Sequence, residues 1–244
     1  MAESVRGTEP RVRVVADAAA LAAAAADVFA DRAERAMEDR GEFRVALPGG
    51  RSARGMLERL VAPPLAGAIE WSRVIVYFSD ERAVPPTDPE SNYRLVSEAL
   101  LAPLGARAPR CERMRGEVAD LAAEAHDYAA LLEEPLDLVV LGLGEDGHVA
   151  SLFPSSPVLG EMQARVAAVM DSPKPPPQRL TLTPRTLQEA RALLVLASGT
   201  AKAEAARAGL ERNGAVAMTP ARLARDPRAE WLLDAEAAAL LAHE

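Results

Sequence analysis

The stretch at residues 142–154, G-L-G-E-D-G-H-V-A-S-L-F-P, decides the reading of this chain. It follows the apolar run at 136–141, L-D-L-V-V-L, whose length and branched composition predict a strand buried on both faces. Open α/β sheets bind ligands at the loops that leave the carboxyl ends of such strands. Gly142, Gly144 and Gly147 permit close backbone approach or positive φ in this loop. Asp146 and His148 then project from a constrained segment, a carboxylate two residues before an imidazole, which is how a base for neutral pH is assembled. The other histidines have plainer settings. His126 lies in E-A-H-D-Y-A-A-L-L, where helical periodicity predicts a structural or solvent-facing role, and His243 is next to the chain end.

Outward from that loop, helices and strands alternate. Residues 17–40 are Ala-rich with interspersed charges, start on the N-cap candidate Asp17 and stop at Gly41, which predicts a helix. Residues 43–47 read as a strand, followed by the P-G-G-R-S turn and a helical stretch that stops at Pro63-Pro64. Residues 71–78 read as the next strand, and 91–101 and 117–132 as helices. Residues 164–170 and 179–183 are expected strands around D-S-P-K-P-P-P-Q, whose prolines forbid regular structure. Residues 191–197 form a further strand pattern that enters a helix through S-G-T-A-K-A-E-A-A-R-A-G-L. Strands separated by helices predict the α/β class, a single domain over residues 1–244 with a mostly parallel sheet and helices on both faces.

Composition narrows the function classes. A formal charge of -8 argues against a general nucleic-acid binder, so any anionic ligand needs a local basic cluster. No run of about 18 uncharged apolar residues exists to span a membrane, since the Ala-rich stretch at 16–26 is short and interrupted by Asp17. The start, M-A-E-S-V-R-G-T-E-P, lacks the pattern of a signal peptide, and a cytoplasmic location is expected. Cys111 stands alone, which excludes an internal disulfide and a Cys-rich zinc site. The oligomeric state stays open between monomer and homodimer, because an Ala-rich helix can pack on its own sheet or on a partner.

Further candidate chemistry sits at strand ends. Leu47 runs into Pro48-Gly49-Gly50-Arg51-Ser52, where backbone N–H groups and a helix N-terminus can receive a phosphate; a plain tight turn is the alternative. The loop at 79–94, S-D-E-R-A-V-P-P-T-D-P-E-S-N-Y-R, contains Arg82, whose planar guanidinium can hold a phosphate or a carbonyl oxygen, with Asp80 or Glu81 to orient it. A solvated charge cluster is the alternative there, and Ser91 fits a helix N-cap. Arg179 opens an expected strand and Lys202 an expected helix, positions that favour a site over two isolated surface cations.

The segment at 142–154 resembles the signature of the 6-phosphogluconolactonases, D-G-H-x-A-S-L-F-P, through Asp146, Gly147, His148, Ala150, Ser151, Leu152, Phe153 and Pro154. Gly49, Gly50 and Ser52 match that family's S-G-G-S-T, while Pro48 and Arg51 depart from it. Asp80, Glu81, Arg82, Ser91 and Asn92 resemble its D-E-R and S-N pieces, Arg179, Thr181 and Thr183 its R-x-T-x-T, and Gly199 with Lys202 its G-x-x-K. The resemblance touches five segments between residues 47 and 202 and fades in the first 40 residues and after about residue 210. It implies a Rossmann-like fold of the sugar-phosphate isomerase/deaminase type. It also implies hydrolysis of 6-phosphoglucono-1,5-lactone to 6-phosphogluconate, with a sugar-phosphate lactone as partner and with neither metal nor cofactor. In that reading His148 is the general base and later proton donor, Asp146 holds its tautomer, and Arg82 stabilises the oxyanion or clamps the phosphate. Gly49, Gly50, Arg51, Ser52, Asp80, Asn92, Gly147, Arg179 and Lys202 then bind the substrate and its phosphate.

Three other readings compete. Amino-sugar phosphate deaminase/isomerases carry a related D-G-H-x-A, but theirs continues through F-N-E-P with a glutamate that relays protons to the histidine. Phe153 occupies that place here, and an apolar ring carries no proton. A dinucleotide loop is suggested by G-L-G-E-D-G, yet Pro154 and Pro157 follow too closely for a long helix to open. A non-enzymatic sugar-phosphate-binding module would keep the cations and glycines without needing the base at His148.

Overall fold

The computed structural model describes residues 9–241; His243 and the first eight residues of the chain lie outside them. In chain order the strands are β1 (Arg11–Val15), β2 (Phe43–Leu47), β3 (Val74–Phe78), β4 (Asp80–Arg82), β5 (Arg110–Cys111), β6 (Leu138–Gly142), β7 (Val166–Val169), β8 (Arg179–Leu182), β9 (Leu193–Ala197) and β10 (Ala229–Asp234). The helices are α1 (Ala18–Arg40), α2 (Arg51–Leu60), α3 (Leu65–Ala68), α4 (Asn92–Val96), α5 (Ala102–Leu104), α6 (Leu121–Ala130), α7 (Pro184–Glu189) and α8 (Ala203–Leu210). Seven strands form one sheet in the order β1-β10-β9-β6-β2-β3-β5, with every pair parallel. This is the α/β architecture expected from the alternation of elements.

The apolar run ahead of the signature becomes β6, in the middle of this sheet, with Leu138 to Leu141 buried. Both of its neighbours, β2 and β9, are almost wholly buried as well, the condition under which a strand carries apolar residues without alternation. From β2 the chain steps to β3 on one side, whereas β6, β9 and β10 lie on the other, so the order reverses between β2 and β6. A reversal of that kind leaves a crevice outside the carboxyl ends of the two strands. Leu47 stands beside Phe78 in register, and Gly142 beside Leu196, so the loops that follow all start at one edge.

One face of the sheet is covered by α1 and α2, which pack on each other and on β2, β6, β9 and β10. The Asp17 carboxylate accepts from Ala20 N at 2.8 Å to start α1, and Gly41 closes it in the left-handed region at φ 87° with its N–H on Met37 O. Alanine suits the contact because the backbones run close: a Cβ added at Gly55 would lie 3.2 Å from that of Ala22.

Several expected boundaries shift for visible reasons. The strand predicted at 71–78 begins at Val74, because Trp71–Arg73 is a 3₁₀ turn whose indole N–H donates to Ala66 O at 3.3 Å. The helix predicted at 117–132 starts only at Leu121, where the Asp120 side chain caps Ala123 N. The helical stretch after Ser91 continues from α4 through a π turn at Ser97–Leu101 into α5. Strands β1 and β10, absent from the sequence-based expectation, extend the sheet beyond β9. Residues 80–82, expected in a loop, form β4, which pairs antiparallel with β8; β8 pairs in turn with β7 to make a second, three-stranded sheet.

Glu81 fastens β4 to the helix that follows. Its carboxylate is 2% exposed and accepts from Arg82 N, Asn92 N, Tyr93 N and Ser91 Oγ, at 2.7 to 3.0 Å. Burial pushes this carboxyl above the usual glutamate range, and the four hydrogen bonds oppose that effect without cancelling it. Removing the acceptor strands four donors in the interior. Glu81→Ala is therefore expected to cost about 3–5 kcal/mol in urea unfolding, with hydrogen-exchange protection lost first at residues 91–93. A cost below about 1 kcal/mol would contradict this role.

Candidate active site

The loop after β6 is a closed turn. Gly144 N donates to His148 O at 2.8 Å, Gly147 N donates to Gly144 O at 3.1 Å, and Leu143 and Val149 form an isolated antiparallel bridge. Gly147 turns through φ 81°, and a Cβ there would also lie 2.9 Å from the Thr219 methyl. The turn brings His148 Nδ1 to 2.5 Å from Asp146 Oδ1, and the same oxygen accepts weakly from His148 N at 3.3 Å. Partial burial works against ionisation of Asp146. The hydrogen bonds and charge of His148, aided by Lys174, outweigh it and hold this carboxyl well below the usual range. An ionised carboxylate only accepts hydrogen bonds, so Nδ1 is the ring nitrogen that donates to it, and in the neutral form of the ring the lone pair lies at Nε2.

Gly144 is required by close approach. A Cβ at this position would lie 2.0 Å from His148 Nδ1 and 2.6 Å from Asp146 Oδ1, so the catalytic-type pair rests directly on the glycine backbone. Phe153 packs against the imidazole: it is 1% exposed, with its ring centroid 4.5 Å from that of His148 at an interplanar angle of 37°. The Arg179 guanidinium lies 5.4 Å over the same phenyl ring.

A cleft of ≈ 1240 Å³ opens at the carboxyl ends of β2, β6 and β9, lined among others by Gly49, Gly50, Arg51, Ser52, Gly142, Ser198, Gly199 and Lys202. Helix α2 starts at Arg51 after Gly50, at φ 94°, with no side chain capping it, so its first N–H groups are left for a ligand. Gly199 plays the same part after β9; its N–H and the Ser198 hydroxyl are held by Asp234 at the end of β10. Lys202 Nζ stands 3.8 Å from Glu145 Oε1, and burial lowers its pKa with Lys174 and Arg51 adding to the effect. Asp146 and His148 do not line this cleft, but Lys202, which does, stands 3.8 Å from Glu145, the residue before Asp146.

The remaining candidates occupy a buried frame beneath the loops. Asp80 is 5% exposed and accepts from Ser151 Oγ at 2.7 Å and from Asn92 Nδ2 at 3.1 Å. Asn92 is buried with its Oδ1 against Gly49, where a Cβ would come within 1.9 Å of it. Ser151 N donates to Thr181 Oγ1 at 3.1 Å, which ties the signature loop to β8. Asp80 and Asn92, expected at the ligand, are buried and bonded to the segments around the candidate site. The expectation that Asp80 or Glu81 orients Arg82 needs correction as well. Successive strand residues point to opposite faces, which sends Glu81 to the helix at 91–93, and Asp80 is taken by Ser151 and Asn92. Arg82 Nη1 instead donates to Glu90 O at 2.5 Å, while its buried Nε finds no partner among the described residues.

Arg82 and Arg179 face each other across the β4–β8 pair, an arrangement of like charges that an anion between or beside them would relieve. Arg179 is only 4% exposed, and its guanidinium donates to the carbonyls of Lys174, Pro175 and Pro176 at 3.2, 2.9 and 3.1 Å. Burial lowers the Arg179 pKa, with Asp80 pulling the other way. Arg179, expected near the substrate phosphate, thus also holds the proline-rich segment in place. Sequence reasoning passed over Lys174, read Ser151 only as part of the matching signature, and read Gly144 as one of three glycines permitting close backbone approach or positive φ. Lys174 had a detectable signal, since Lys174 and Lys202 are the chain's only lysines among 28 basic residues. His126, by contrast, is exposed on α6.

Residues 16–233 match the family model described as glucosamine-6-phosphate isomerases/6-phosphogluconolactonase. The 6-phosphogluconolactonase of Streptomyces coelicolor is 34% identical over 247 residues, covering 95% of this chain and 95% of that relative. The 6-phosphogluconolactonase of Mycobacterium tuberculosis is 34% identical over 94% of this chain and 98% of its own length. A solved structure of the Trypanosoma brucei 6-phosphogluconolactonase superposes with a TM-score of 0.83 at 28% identity, over 97% of this chain and 100% of that one. With a matching family model over most of its length and relatives this similar end to end, the chain belongs to the glucosamine-6-phosphate isomerase/6-phosphogluconolactonase family.

Proposed function

We propose that this protein hydrolyses 6-phosphoglucono-1,5-lactone to 6-phosphogluconate, with His148 as the general base. The observation that carries the reading within the family is the 2.5 Å contact between Asp146 and His148, which engages Nδ1 and makes Nε2 the ring nitrogen available to act as the base. His148 Nε2 takes a proton from water as the water oxygen attacks the lactone carbonyl. Negative charge collects on the carbonyl oxygen, and the imidazolium then gives its proton to the ring oxygen as the carbon–oxygen bond breaks. Arg82, with an unpartnered Nε, is assigned to that developing oxyanion. The phosphate is assigned to the uncapped start of α2 with Arg51, Ser52 and Lys202, so that remote binding energy orients the ring.

Phe153 favours this reaction over sugar-phosphate deamination. Its ring is stacked on the imidazole, where a proton relay would need a carboxylate. Nothing in the hydrolysis requires one there.

Three variants test the assignment in a lactonase assay corrected for spontaneous ring opening. His148→Ala is expected to lower turnover by roughly 10²–10⁴-fold, and near-normal turnover would remove the base from this residue. Gly144→Ala is expected to stay folded and lose roughly 10²-fold in kcat, because the loop is closed by Gly144 N to His148 O and the new methyl must displace the pair. Full activity in Gly144→Ala would show that the pair tolerates displacement. Lys202→Ala is expected to raise KM for the phosphorylated lactone about tenfold while sparing slow turnover of unphosphorylated gluconolactone. Equal losses on both substrates would move Lys202 away from the phosphate.

A further inference from the structure

Lys174 belongs to a segment built with unusual rigidity for a surface loop. Pro173, Pro175, Pro176 and Pro177 fix φ along it. Ser172, 8% exposed, donates its N–H to Pro177 O at 2.9 Å and its hydroxyl to Lys174 O at 2.8 Å, and accepts Lys174 N at 3.2 Å. From β8, the nearly buried Arg179 adds its bonds to the carbonyls of Lys174, Pro175 and Pro176. The main chain on both sides of Lys174 is thereby held, and the only long charged side chain of the segment's centre is presented at one place. That place is Asp146: Lys174 Nζ lies 3.7 Å from Asp146 Oδ1, the same oxygen that meets His148 Nδ1.

We propose that Lys174 is a positioning residue for the Asp146–His148 pair, holding the carboxylate in the rotamer that meets the imidazole and offsetting part of its charge. The neighbourhood contains Asp146 and Glu145 from the loop itself, Lys202 after β9, Arg51 at the start of α2, and Arg179 against Phe153. Lys202 pairs with Glu145, and Arg179 is bonded to the carbonyls of residues 174–176, which leaves Lys174 as the cation paired with Asp146 among the described residues. Its side chain is 41% exposed, so solvent screens the interaction and the expected effect is moderate. The sign follows from the charges. A carboxylate relieved of its ammonium stabilises the imidazolium more, and the pair then loses its proton at higher pH.

The test compares Lys174→Met and Lys174→Arg with the unaltered protein by two readouts. In kcat/KM against pH, Lys174→Met is expected to move the acidic limb upward by roughly 0.5–1 pH unit with KM changed less than about twofold, and Lys174→Arg to restore the limb. Added salt should shrink the displacement. A raised KM with the limb unmoved would make Lys174 a substrate contact and overturn the proposal, as would an unmoved limb with unchanged kinetics. The kinetic arm rests on the lactonase reading. NMR titration of the His148 ring, assigned by its loss in His148→Gln, follows the pair without any turnover. A displaced titration in a protein that fails to hydrolyse the lactone would uphold Lys174 while removing the proposed reaction; an undisplaced one would overturn the inference whatever the activity.

Discussion

The Asp80 carboxylate accepts the Ser151 hydroxyl on one oxygen and the Asn92 amide on the other, and through these two bonds three loops share one frame. Asn92 is the floor on which Gly49 rests, so the start of α2 is set from below. Ser151 lies three residues after His148, and its N–H reaches Thr181 on β8, so the signature loop and the small sheet cannot move independently. A charge 5% exposed is costly unless it is paired and hydrogen-bonded. Here two side-chain donors and the nearby Arg179 meet that requirement. The buried polar residues of this family signature thus have a mechanical purpose: they place exposed groups that they do not themselves resemble.

Above that frame, a protein of net charge -8 assembles a local basic region from very few residues. Its two lysines flank one loop, Lys202 opposite Glu145 and Lys174 opposite Asp146, while Arg51 stands at an uncapped helix start. Short-range potential of this kind acts within about a Debye length, roughly 8 Å at physiological salt, and does not depend on the overall charge. Lysine suits position 202 in the proposed reaction because a compact ammonium on a flexible stem can pair with a loop carboxylate and still yield to a ligand oxygen.

Sequence patterning exposed the parts of this design that depend on local rules. The buried strand β6, the capped helix α1 and the glycine turns after β2 and β6 each follow from a short run of residues, and so did the Asp146–His148 pair. What escaped was set by distant partners. Strand β1 alternates arginine and valine at an exposed sheet edge, where neither face needs an apolar stripe, and β10 acquires its identity only by lying between β1 and β9. Strand β4 is too short to show periodicity and exists because β8 pairs with it. The roles of Asp80 and Arg179 were legible as chemistry but not as geometry, since Asp80 is bonded to Ser151 from a distant loop and Arg179 is aimed by carbonyls of residues 174–176 that only the folded proline-rich segment brings within reach.

In the proposed reaction the phosphate end of the ligand sits at the start of α2 and the reacting end at His148. A crystal structure with 6-phosphogluconate bound distinguishes this orientation from the reverse. Phosphate oxygens are expected within hydrogen-bonding distance of the Arg51 and Ser52 N–H groups and of Lys202 Nζ, with the product carboxylate beside His148 Nε2 and near Arg82. A phosphate seated between Arg82 and Arg179, with the carboxylate end in the cleft by Gly199, would contradict it.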